Sequence, residues 1–379
     1  MTQKRLPAVF MRGGSSKGVF FKLEDLPFPD DVRDQILLDA IGSPDVYGRQ
    51  LNGMGGGVSS VSKAVILNVS ERDDADIDYT FAQVAVDQPI VDFSTTCGNL
   101  SSAVGPFAID NDMIPATGDM TLIRVFNTNL KQVYHARIPT KDGRFLEAGD
   151  FTIPGVSGSG SKIGLDYLSP GGAATGKLLP SGNVIDKISS PGDGEFDISC
   201  VDASTAGVFV AAERFGLTGT ETVGELEADR ALMGLLDRIR RKAAVVMDMA
   251  VTPEDTPLGT PKICMVAKPQ RYTTLAGETV LPEDFSIAAR FLSMGQVHRV
   301  LPLTGAMCLG VASLIEGTVA HQYCKPGAGD LLLANPSGIL PVDATVSNSS
   351  GEWVADKVTV YRTARAMMEG MVLVPEYAA

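Results

Sequence analysis

Residues 91–109 read VDFSTTCGNLSSAVGPFAI, and this stretch decides the fold. Cys97 precedes a short turn that contains a glycine, and a run of small and apolar residues follows from Leu100. Small residues at helical spacing let a helix pack closely against its neighbours. The stretch therefore predicts a buried central helix, with Cys97 just before its N-terminus.

The chain contains a second stretch of this kind, LTGAMCLGVASLI at 303–315, and three further echoes. GVFF at 18–21 resembles GVFV at 207–210, Lys63 and Lys262 each stand before an apolar run, and TLIR at 121–124 resembles TVYR at 359–362. Because the four echoes occur in the same order, they indicate an internal duplication. A chain of 379 residues is also too long for one hydrophobic core.

We therefore predict two domains, residues 1–183 and 184–379. The connection between them is expected within 154–183, a segment rich in Gly, Ser and Pro. Elsewhere short strands alternate with helices, which is typical of an α+β protein with mixed, curved sheets.

Composition limits the class of partner. Apolar residues make up 44% of the chain and the formal charge is −13, so nucleic acid and anionic membranes are disfavoured as partners. No run of about 18 apolar residues occurs, and no signal core of the usual length is present. We expect a cytoplasmic protein whose partner is a small molecule, and we allow for a homodimer.

The sequence gives little support for a metal or a cofactor. Its five cysteines are scattered without a C-x-x-C pair, and its three histidines are dispersed. GGAATGK at 171–177 has the spacing of a nucleotide-binding loop, but Leu178 stands where that loop needs Ser or Thr. We expect no cofactor and no metal.

Three segments combine flexible glycines, small hydroxyl residues and one reactive side chain: Met11–Gly18, Asn52–Lys63 and Thr95–Leu100. Glycine lets the main chain approach a ligand and point N–H groups at it, and such groups bind carboxylates. The residues that we expect to contact substrate in these segments include the following: Arg12, Lys17, Met54, Gly55, Gly56, Ser60, Gly98 and Asn99.

Two side chains in these segments are candidates for acid/base chemistry. The positive end of the predicted helix favours a thiolate at Cys97, and a lysine at a dry strand mouth, such as Lys63, deprotonates easily. Each also has a structural reading, in which Cys97 is a small core residue and Lys63 caps a strand. Arg12 and Lys17 are either surface charges or carboxylate anchors.

The strings MRGGSSKGVFF, NGMGGGVSSVSKAVI and VDFSTTCGNLSSAVGPFAI resemble the PrpF family. That family includes 2-methylaconitate cis-trans isomerase, methylitaconate Δ-isomerase and 4-oxalomesaconate tautomerase. The resemblance continues through PSGNVIDKI, TGAMCLGVA and RTARAMMEG, so it covers nearly the whole chain.

The resemblance implies the diaminopimelate-epimerase-like fold. In this α+β fold two similar domains each wrap a curved mixed β-sheet around a central helix, and the active site lies in the cleft between them. The resemblance also implies that Lys63 and Cys97 are the acid/base residues and that Ser15 or Ser16 contacts substrate. No cofactor or metal is implied.

Epimerases of this fold use one thiol from each half as base and acid. Here our alignment matches Cys97 with Thr304, and Cys308 lies about one helical turn further on. A two-thiol racemase is therefore disfavoured, and Lys63 is left as the base. Thr304, Gly305 and Ala306 would instead form a carboxylate pocket.

The function that we expect is a cofactor-independent isomerisation of an unsaturated di- or tricarboxylate, by proton abstraction and allylic reprotonation. A 2-methylaconitate cis-trans isomerase is the first candidate, and 4-oxalomesaconate tautomerase and methylitaconate or aconitate Δ-isomerase are the alternatives. An amino-acid epimerase and a non-catalytic carboxylate-binding accessory protein are further alternatives. The sequence leaves open whether Lys63 or Cys97 takes the first proton.

Overall fold

The computed structural model describes residues 3–376 apart from 27, 28, 191, 193, 326, 328 and 350. The chain divides into two compact units, Met1–Asp166 with Tyr361–Ala379, and Tyr167–Val360. This division differs from the ranges 1–183 and 184–379 predicted above. The C-terminal strand returns to the first unit because it pairs along the whole first strand, from Gln3 opposite Pro375 to Gly13 opposite Ala364.

The first unit contains most of the N-terminal half and the last strand of the chain. Its helices are α1 (Asp30–Ile41) and α2 (Ser101–Asp110). Its strands are β1 (Gln3–Gly13), β2 (Ser16–Lys22), β3 (Lys63–Val69), β4 (Ile77–Val84), β5 (Val91–Asp92), β6 (Met120–Asn127), β7 (Gln132–Lys141), β8 (Arg144–Phe145), β9 (Ile163–Leu168, which runs into the second unit) and the C-terminal strand Ala364–Pro375.

These strands form a mixed sheet. From the C-terminal strand the order is β1, β2, β3, β4, β6 and β7, with β2–β3 and β4–β6 parallel and the other pairs antiparallel. The short strand β5 pairs antiparallel with β4, and the short strand β8 pairs antiparallel with β7. The strand β9 lies inside the segment 154–183, so that segment is not a plain linker.

The sheet curves around α2, as the sequence predicts. Every residue of α2 except Asp110 is buried, and the helix contacts β1, β4, β7, β8 and the C-terminal strand. Gly105 shows why the helix consists of small residues, because a Cβ atom there would lie 2.5 Å from the side chain of Ile138. On the other face of the sheet, α1 packs its buried Ile36 and Leu37 against Val19 and Phe21 of β2.

The described part of the second unit contains the helices α3 (Val223–Ala228), α4 (Arg230–Val246), α5 (Leu303–Leu314) and α6 (Val319–Tyr323). Its strands are β10 (Asp186–Ser190), β11 (Gly194–Asp202), β12 (Ala206–Ala211), β13 (Lys262–Ala267), β14 (Tyr272–Thr273), β15 (Thr279–Val280), β16 (Ile287–Ser293), β17 (Gln296–Val297), β18 (Leu331–Asn335), β19 (Gly338–Ser349) and β20 (Glu352–Arg362), and the C-terminal strand of the first unit is therefore β21.

The second sheet repeats the topology of the first. Its order is β10, β11, β12, β13, β16, β18 and β19, with β12–β13 and β16–β18 parallel and the other pairs antiparallel. Its central helix is α5, whose residues from Gly305 to Ser313 are all buried. The predicted α+β fold of two similar units, each a mixed sheet around a central helix, is confirmed.

Three of the four sequence echoes lie at equivalent places in the two sheets. GVFF and GVFV lie on β2 and β12, Lys63 and Lys262 begin β3 and β13, and the small-residue stretches form α2 and α5. The fourth echo is wrong, because TLIR lies on β6 and TVYR on β20, whereas the counterpart of β6 in the second sheet is β18. The predicted cleft stays a prediction.

None of the described helices is both long enough and apolar enough to cross a membrane.

Candidate active site

Lys63 is the first residue of β3, and its side chain is directed into the first unit. The residue is only 7% exposed, and its Nζ donates to Oε1 of Gln83 at 2.6 Å. The same nitrogen lies 4.9 Å from the centre of the Phe81 ring. Lys63 is therefore more than a strand cap, because its amine is held at a defined place by the neighbouring strand β4.

Burial lowers the pKa of Lys63, since the charged form loses water; the nearby thiol of Cys97 acts in the opposite direction. The two predicted catalytic side chains are thus close enough to interact electrostatically. A lysine in this position is neutral, and can accept a proton, at a lower pH than a lysine in water.

Cys97 lies at the entrance to α2, four residues before the helix begins. It is 8% exposed, and its Sγ accepts a hydrogen bond from the backbone N–H of Leu100 at 3.5 Å. Its carbonyl oxygen accepts from the hydroxyl of Tyr79 at 3.2 Å and from the N–H and hydroxyl of Ser101, each at 3.0 Å. Both ends of the residue are therefore fixed, and the thiol faces the amides at the start of the helix.

The turn between β1 and β2 packs directly against this entrance. A Cβ atom on Gly13 would lie 2.7 Å from the carbonyl oxygen of Asn99, and one on Gly14 would lie 2.3 Å from Oδ1 of the same residue. Gly14 also has φ +52, a conformation that side chains rarely adopt. The glycines of the first motif are thus required for close approach to the turn that carries Cys97.

Asn99 connects this turn to two other parts of the unit. Its Nδ2 donates to the hydroxyl of Ser15 at 3.2 Å, and its Oδ1 accepts from Nε of Arg362 at 3.2 Å. Gly98 lies in the same turn as Asn99, and Ser16 is buried at the start of β2. The structure therefore brings Ser15 and Asn99 together beside Cys97.

Arg12 holds the β1–β2 turn in place. Its Nη1 donates to the carbonyl oxygens of Gly14 at 2.9 Å and Thr363 at 3.0 Å, and to the hydroxyl of Thr363 at 3.0 Å. The pKa of Arg12 is lowered, mainly by burial; Glu147 raises it and Arg365 lowers it further. Nη1 of Arg12 is therefore engaged by Gly14 and Thr363, and the role of Arg12 as a carboxylate anchor stays a prediction.

Lys17 and Ser60 meet through the main chain. The N–H of Lys17 donates to the carbonyl of Ser60 at 3.1 Å, and Nζ of Lys17 lies 5.5 Å from the Phe10 ring. This contact joins the first motif to the second, next to the strand that Lys63 begins.

The glycine-rich segment 52–62 is used largely to complete α1. The N–H groups of Met54 and Gly55 donate to the carbonyls of Ala40 and Ile41, at 2.9 and 3.0 Å. These two amides are therefore engaged at the end of a helix, and the contact of Met54 and Gly55 with substrate stays a prediction. Gly56 is exposed.

Gln50 organises the same segment, and no sequence motif points to this residue. It is 1% exposed, its Nε2 donates to Ser43, and its Oε1 accepts from the N–H of Gly57 at 2.9 Å and the hydroxyl of Ser62 at 2.6 Å. Ser62 directly precedes Lys63. Gln50 thus fixes the chain just before the candidate base.

Gln83 is the second residue that sequence reasoning missed. Its Nε2 donates to the carbonyls of Ser62 at 2.9 Å and Ser59 at 3.2 Å. Because both contacts require the amide nitrogen on that side, they orient Oε1 toward Lys63. The antiparallel register, with Lys63 opposite Gln83, makes this possible, but a single sequence does not reveal that register.

A change of Gln83 to glutamate is expected to shift the pH dependence of the reaction. A carboxylate at 83 would favour the charged form of Lys63 and raise its pKa by about one unit or more. Because a general base must be neutral, the limb of kcat/KM that rises with pH should move to higher pH. In the control variant Gln88→Glu, at an exposed residue of the following loop, the limb should stay in place. Coincident pH profiles for Gln83→Glu and the wild type would contradict the role of Gln83.

In the second unit, Thr304, Gly305 and Ala306 form the first turn of α5. Thr304 is half-buried, and a Cβ on Gly305 would lie 3.0 Å from the Phe291 ring. Before α2, the carbonyl of Cys97 accepts a hydrogen bond from the N–H of Ser101. At the start of α5, the carbonyl of Pro302 accepts one from the N–H of Ala306. The match of Cys97 with Thr304 stays a prediction, and neither Thr304 nor Pro302 carries a thiol.

Cys308 is the thiol in the second unit that lies nearest in sequence to this turn. It is fully buried, and burial raises its pKa to about 12. A thiol of that kind stays protonated near neutral pH and does not act as a base.

Comparison with known proteins agrees with these observations. The model of the PrpF protein family matches residues 3–375. The chain belongs to the PrpF family. A 2-methyl-aconitate isomerase of Shewanella oneidensis is 38% identical, with 99% of this chain and 98% of the relative covered. A 3-methylitaconate isomerase of Eubacterium barkeri is 37% identical, with 98% of both chains covered. A 4-oxalomesaconate tautomerase of Pseudomonas putida is 36% identical, with 99% of this chain and 97% of the relative covered.

Comparison with solved structures supports the same family and fold. The crystal structure of a methylitaconate-delta-isomerase has a TM-score of 0.92 and 37% identity, and 99% of this chain and 96% of that chain are covered. A hydroxyproline epimerase from Agrobacterium vitis, with a TM-score of 0.50 and 15% identity over 99% of this chain and 92% of that chain, shares the fold alone. The predictions of an isomerase, of the PrpF family and of the diaminopimelate-epimerase-like fold are confirmed.

The described residues contain no group of three or more His, Cys, Asp or Glu side chains that could hold a metal ion.

Proposed function

We propose that this member of the PrpF family isomerises an unsaturated tricarboxylate by moving one proton, with Lys63 as the base and Cys97 as the proton donor. The observation that carries the proposal is the pairing of these two side chains inside one unit. Lys63 is buried, has a lowered pKa and interacts with the Cys97 thiol, and both residues are held by hydrogen bonds to their neighbours.

The chemistry starts with the neutral amine of Lys63. It takes a proton from the carbon next to the double bond, the C–H bond breaks, and the electron pair spreads over the allylic system onto a carboxylate. Reprotonation at the same carbon after rotation gives a cis-trans isomer, and reprotonation at the third carbon shifts the double bond. The Cys97 thiol returns a proton to the carbon and becomes a thiolate. The ammonium of Lys63 then gives its proton to this thiolate, directly or through water, so that the amine and the thiol are both regenerated.

The surroundings of the pair support proton donation by Cys97. The N–H of Leu100 donates to the Cys97 sulfur, and such a donor stabilises the thiolate that remains after the proton has left. The next three N–H groups, those of Ser101, Ser102 and Ala103, bond to carbonyls of the same turn. Ser15, which is held by Asn99, supplies a hydroxyl beside the same turn.

The identity of the tricarboxylate is a narrower proposal. 2-Methylaconitate is our first candidate, and aconitate, methylitaconate and 4-oxalomesaconate are the alternatives. Methylitaconate has two carboxylates and the other three acids have three, and those three differ from one another by a methyl group or an added keto carbonyl. The identities to the corresponding relatives, 38, 37 and 36%, do not separate them.

An amino-acid epimerase is less well supported, although the fold is shared with a hydroxyproline epimerase. That chemistry needs a second acid/base group on the opposite face of the substrate carbon. Cys308 has its pKa raised to about 12 by burial, and our alignment matches Cys97 with Thr304, which has no thiol.

The proposal is tested by proton NMR of the pure protein in deuterated water, with each of the four acids and with proline as the epimerase control. We expect one of the acids to isomerise and to gain deuterium at its allylic carbon. Exchange and inversion of proline would favour the epimerase. Binding of the acids without any turnover would favour an accessory binding protein, and either result would overturn the proposal.

A further inference from the structure

The second unit carries a lysine at the place equivalent to Lys63. Both lysines begin the strand that runs parallel to the GVF strand, because β13 pairs with β12 as β3 pairs with β2. Lys262 is half-buried beside Gly207, which it faces across the parallel pair. The duplication has therefore placed a second basic side chain at the same point of the second sheet.

The two lysines differ in what faces them on the next strand. Lys63 lies opposite Gln83, whose Oε1 accepts its hydrogen bond. In the second sheet Ile263 lies opposite Leu292, so the register places Ser293 opposite Lys262. A serine is too short to take the place of the glutamine. Its hydroxyl is also engaged, 2.7 Å from Nε2 of His298.

Lys262 is consequently left without an acceptor in the described part of the chain. Among the residues that the structure describes, none forms a hydrogen bond or an ion pair with its ammonium group. Burial lowers the pKa of Lys262. The thiol of Cys308 acts in the opposite direction, and no carboxylate of the described residues raises this pKa. Asp202 also interacts with Cys308, and its Oδ2 accepts from the N–H groups of Ala174 and Thr175, whereas its buried Oδ1 has no hydrogen-bond partner among the described residues.

His298 adds a second basic group at the same place. Its pKa is lowered by burial and by the positive charge of Lys262, so the two side chains are close enough to repel each other when both are charged. The backbone N–H of His298 donates to the carbonyl of Phe291 at 2.8 Å. The Phe291 ring packs against Gly305 in the first turn of α5. The N–H groups of Leu303, Thr304 and Gly305 precede the first hydrogen bond of the helix, which is donated by Ala306, and they lie at this end of the unit.

We propose that Lys262 and His298, with Ser293 positioning the imidazole, bind a carboxylate group of a small polycarboxylate. An anion at this point would supply the acceptor that Lys262 lacks and would relieve its repulsion with His298. This inference rests on the proposed function for the choice of a polycarboxylate. The site itself is built from residues of the second unit alone.

The test measures binding of tricarballylate, a saturated tricarboxylate that has no double bond to isomerise. The chain has three histidines, so the His298 imidazole can be assigned by NMR with a His298→Gln variant and followed during titration. In the wild type we expect tricarballylate to shift the His298 signals and to raise the pKa of His298. Affinity should therefore fall as the pH rises and His298 loses its proton.

The variant Lys262→Met is expected to weaken tricarballylate binding by about tenfold to a hundredfold, the effect of losing one charged hydrogen-bond donor. Lys262→Arg, which keeps the charge, should bind within about threefold of the wild type. The control is Lys268→Met, an exposed lysine just beyond the other end of the same strand, and it should bind like the wild type.

Two outcomes would overturn the inference: unchanged affinity in a folded Lys262→Met protein, or His298 signals that do not respond to tricarballylate. Inorganic phosphate serves as a second probe, and equal binding of phosphate would overturn the assignment to carboxylates. Because binding is measured without turnover, an absence of isomerase activity with every acid would overturn the proposed function and leave this result intact.

Discussion

Replacement of Lys63 by alanine is expected to lower kcat for the isomerisation by about 10²–10⁴-fold, the usual contribution of a positioned general base. The physical reason is that no neighbour can replace the amine. Gln83 accepts a hydrogen bond from Lys63 but is not basic, and Phe81 offers only a ring face. The measurement is the steady-state rate with the acid that the NMR panel identifies.

Folding must be checked in the same variant. Removal of the lysine leaves Oε1 of Gln83 without its donor, which costs about 1–3 kcal/mol, and the removal of a buried cation offsets part of that. The far-UV spectrum should be unchanged, and a small primary amine added to the Lys63→Ala protein should restore part of the rate. Lys141→Ala, at an exposed lysine that ends β7 in the same unit, is the matched control and should keep wild-type activity. Wild-type turnover by a folded Lys63→Ala protein would contradict the assignment of the base.

The change Cys97→Ser is expected to lower kcat by about a hundredfold, with little effect on KM. A serine hydroxyl is a much weaker acid than a thiol, so it returns a proton to the allylic carbon slowly. It is also close to a thiol in size and can still accept the hydrogen bond from the N–H of Leu100. A loss of rate in this variant therefore reports on proton donation rather than on the packing of α2.

A second variant and a control make the result on Cys97 decisive. Cys97→Ala removes the donor altogether and should be at least as slow as Cys97→Ser. Cys324→Ser, at the partly exposed cysteine of the second unit, should react like the wild type. If both Cys97 variants keep full activity, the thiol is not the proton donor, and Lys63 must carry the proton in both directions.

The central helices and the reactive pair could be predicted because their signals are local. A run of small residues after Cys97 indicates a buried helix, and a lysine before an apolar run indicates a strand mouth. The same signals, repeated near Thr304 and at Lys262, revealed the duplication. The structure confirms those three echoes, and the match between TLIR and TVYR failed because four residues with common strand-forming side chains occur on many strands.

Other features depended on contacts between distant parts of the chain. Pairing of β21 with β1 brings the last strand back to the first unit, and nothing within residues 361–379 indicates this partner. Met54 and Gly55 were expected to offer amides to substrate, but their partners are the carbonyls at the end of α1. Gln83 acquires its role from the register of β3 and β4. Sequence patterns indicate candidate reactive side chains, and the tertiary pairing decides which of their neighbours already have hydrogen-bond partners.

The most direct test of Lys63 as the base is hydrogen exchange into the substrate in deuterated water, with wild type, Cys97→Ser and Lys63→Ala compared side by side. The allylic proton of the substrate is followed by NMR, together with net isomerisation. We predict that Cys97→Ser still exchanges this proton although isomerisation is slow, because Lys63 continues to remove it. We predict that Lys63→Ala shows neither exchange nor isomerisation. Exchange at the wild-type rate in Lys63→Ala would contradict the account.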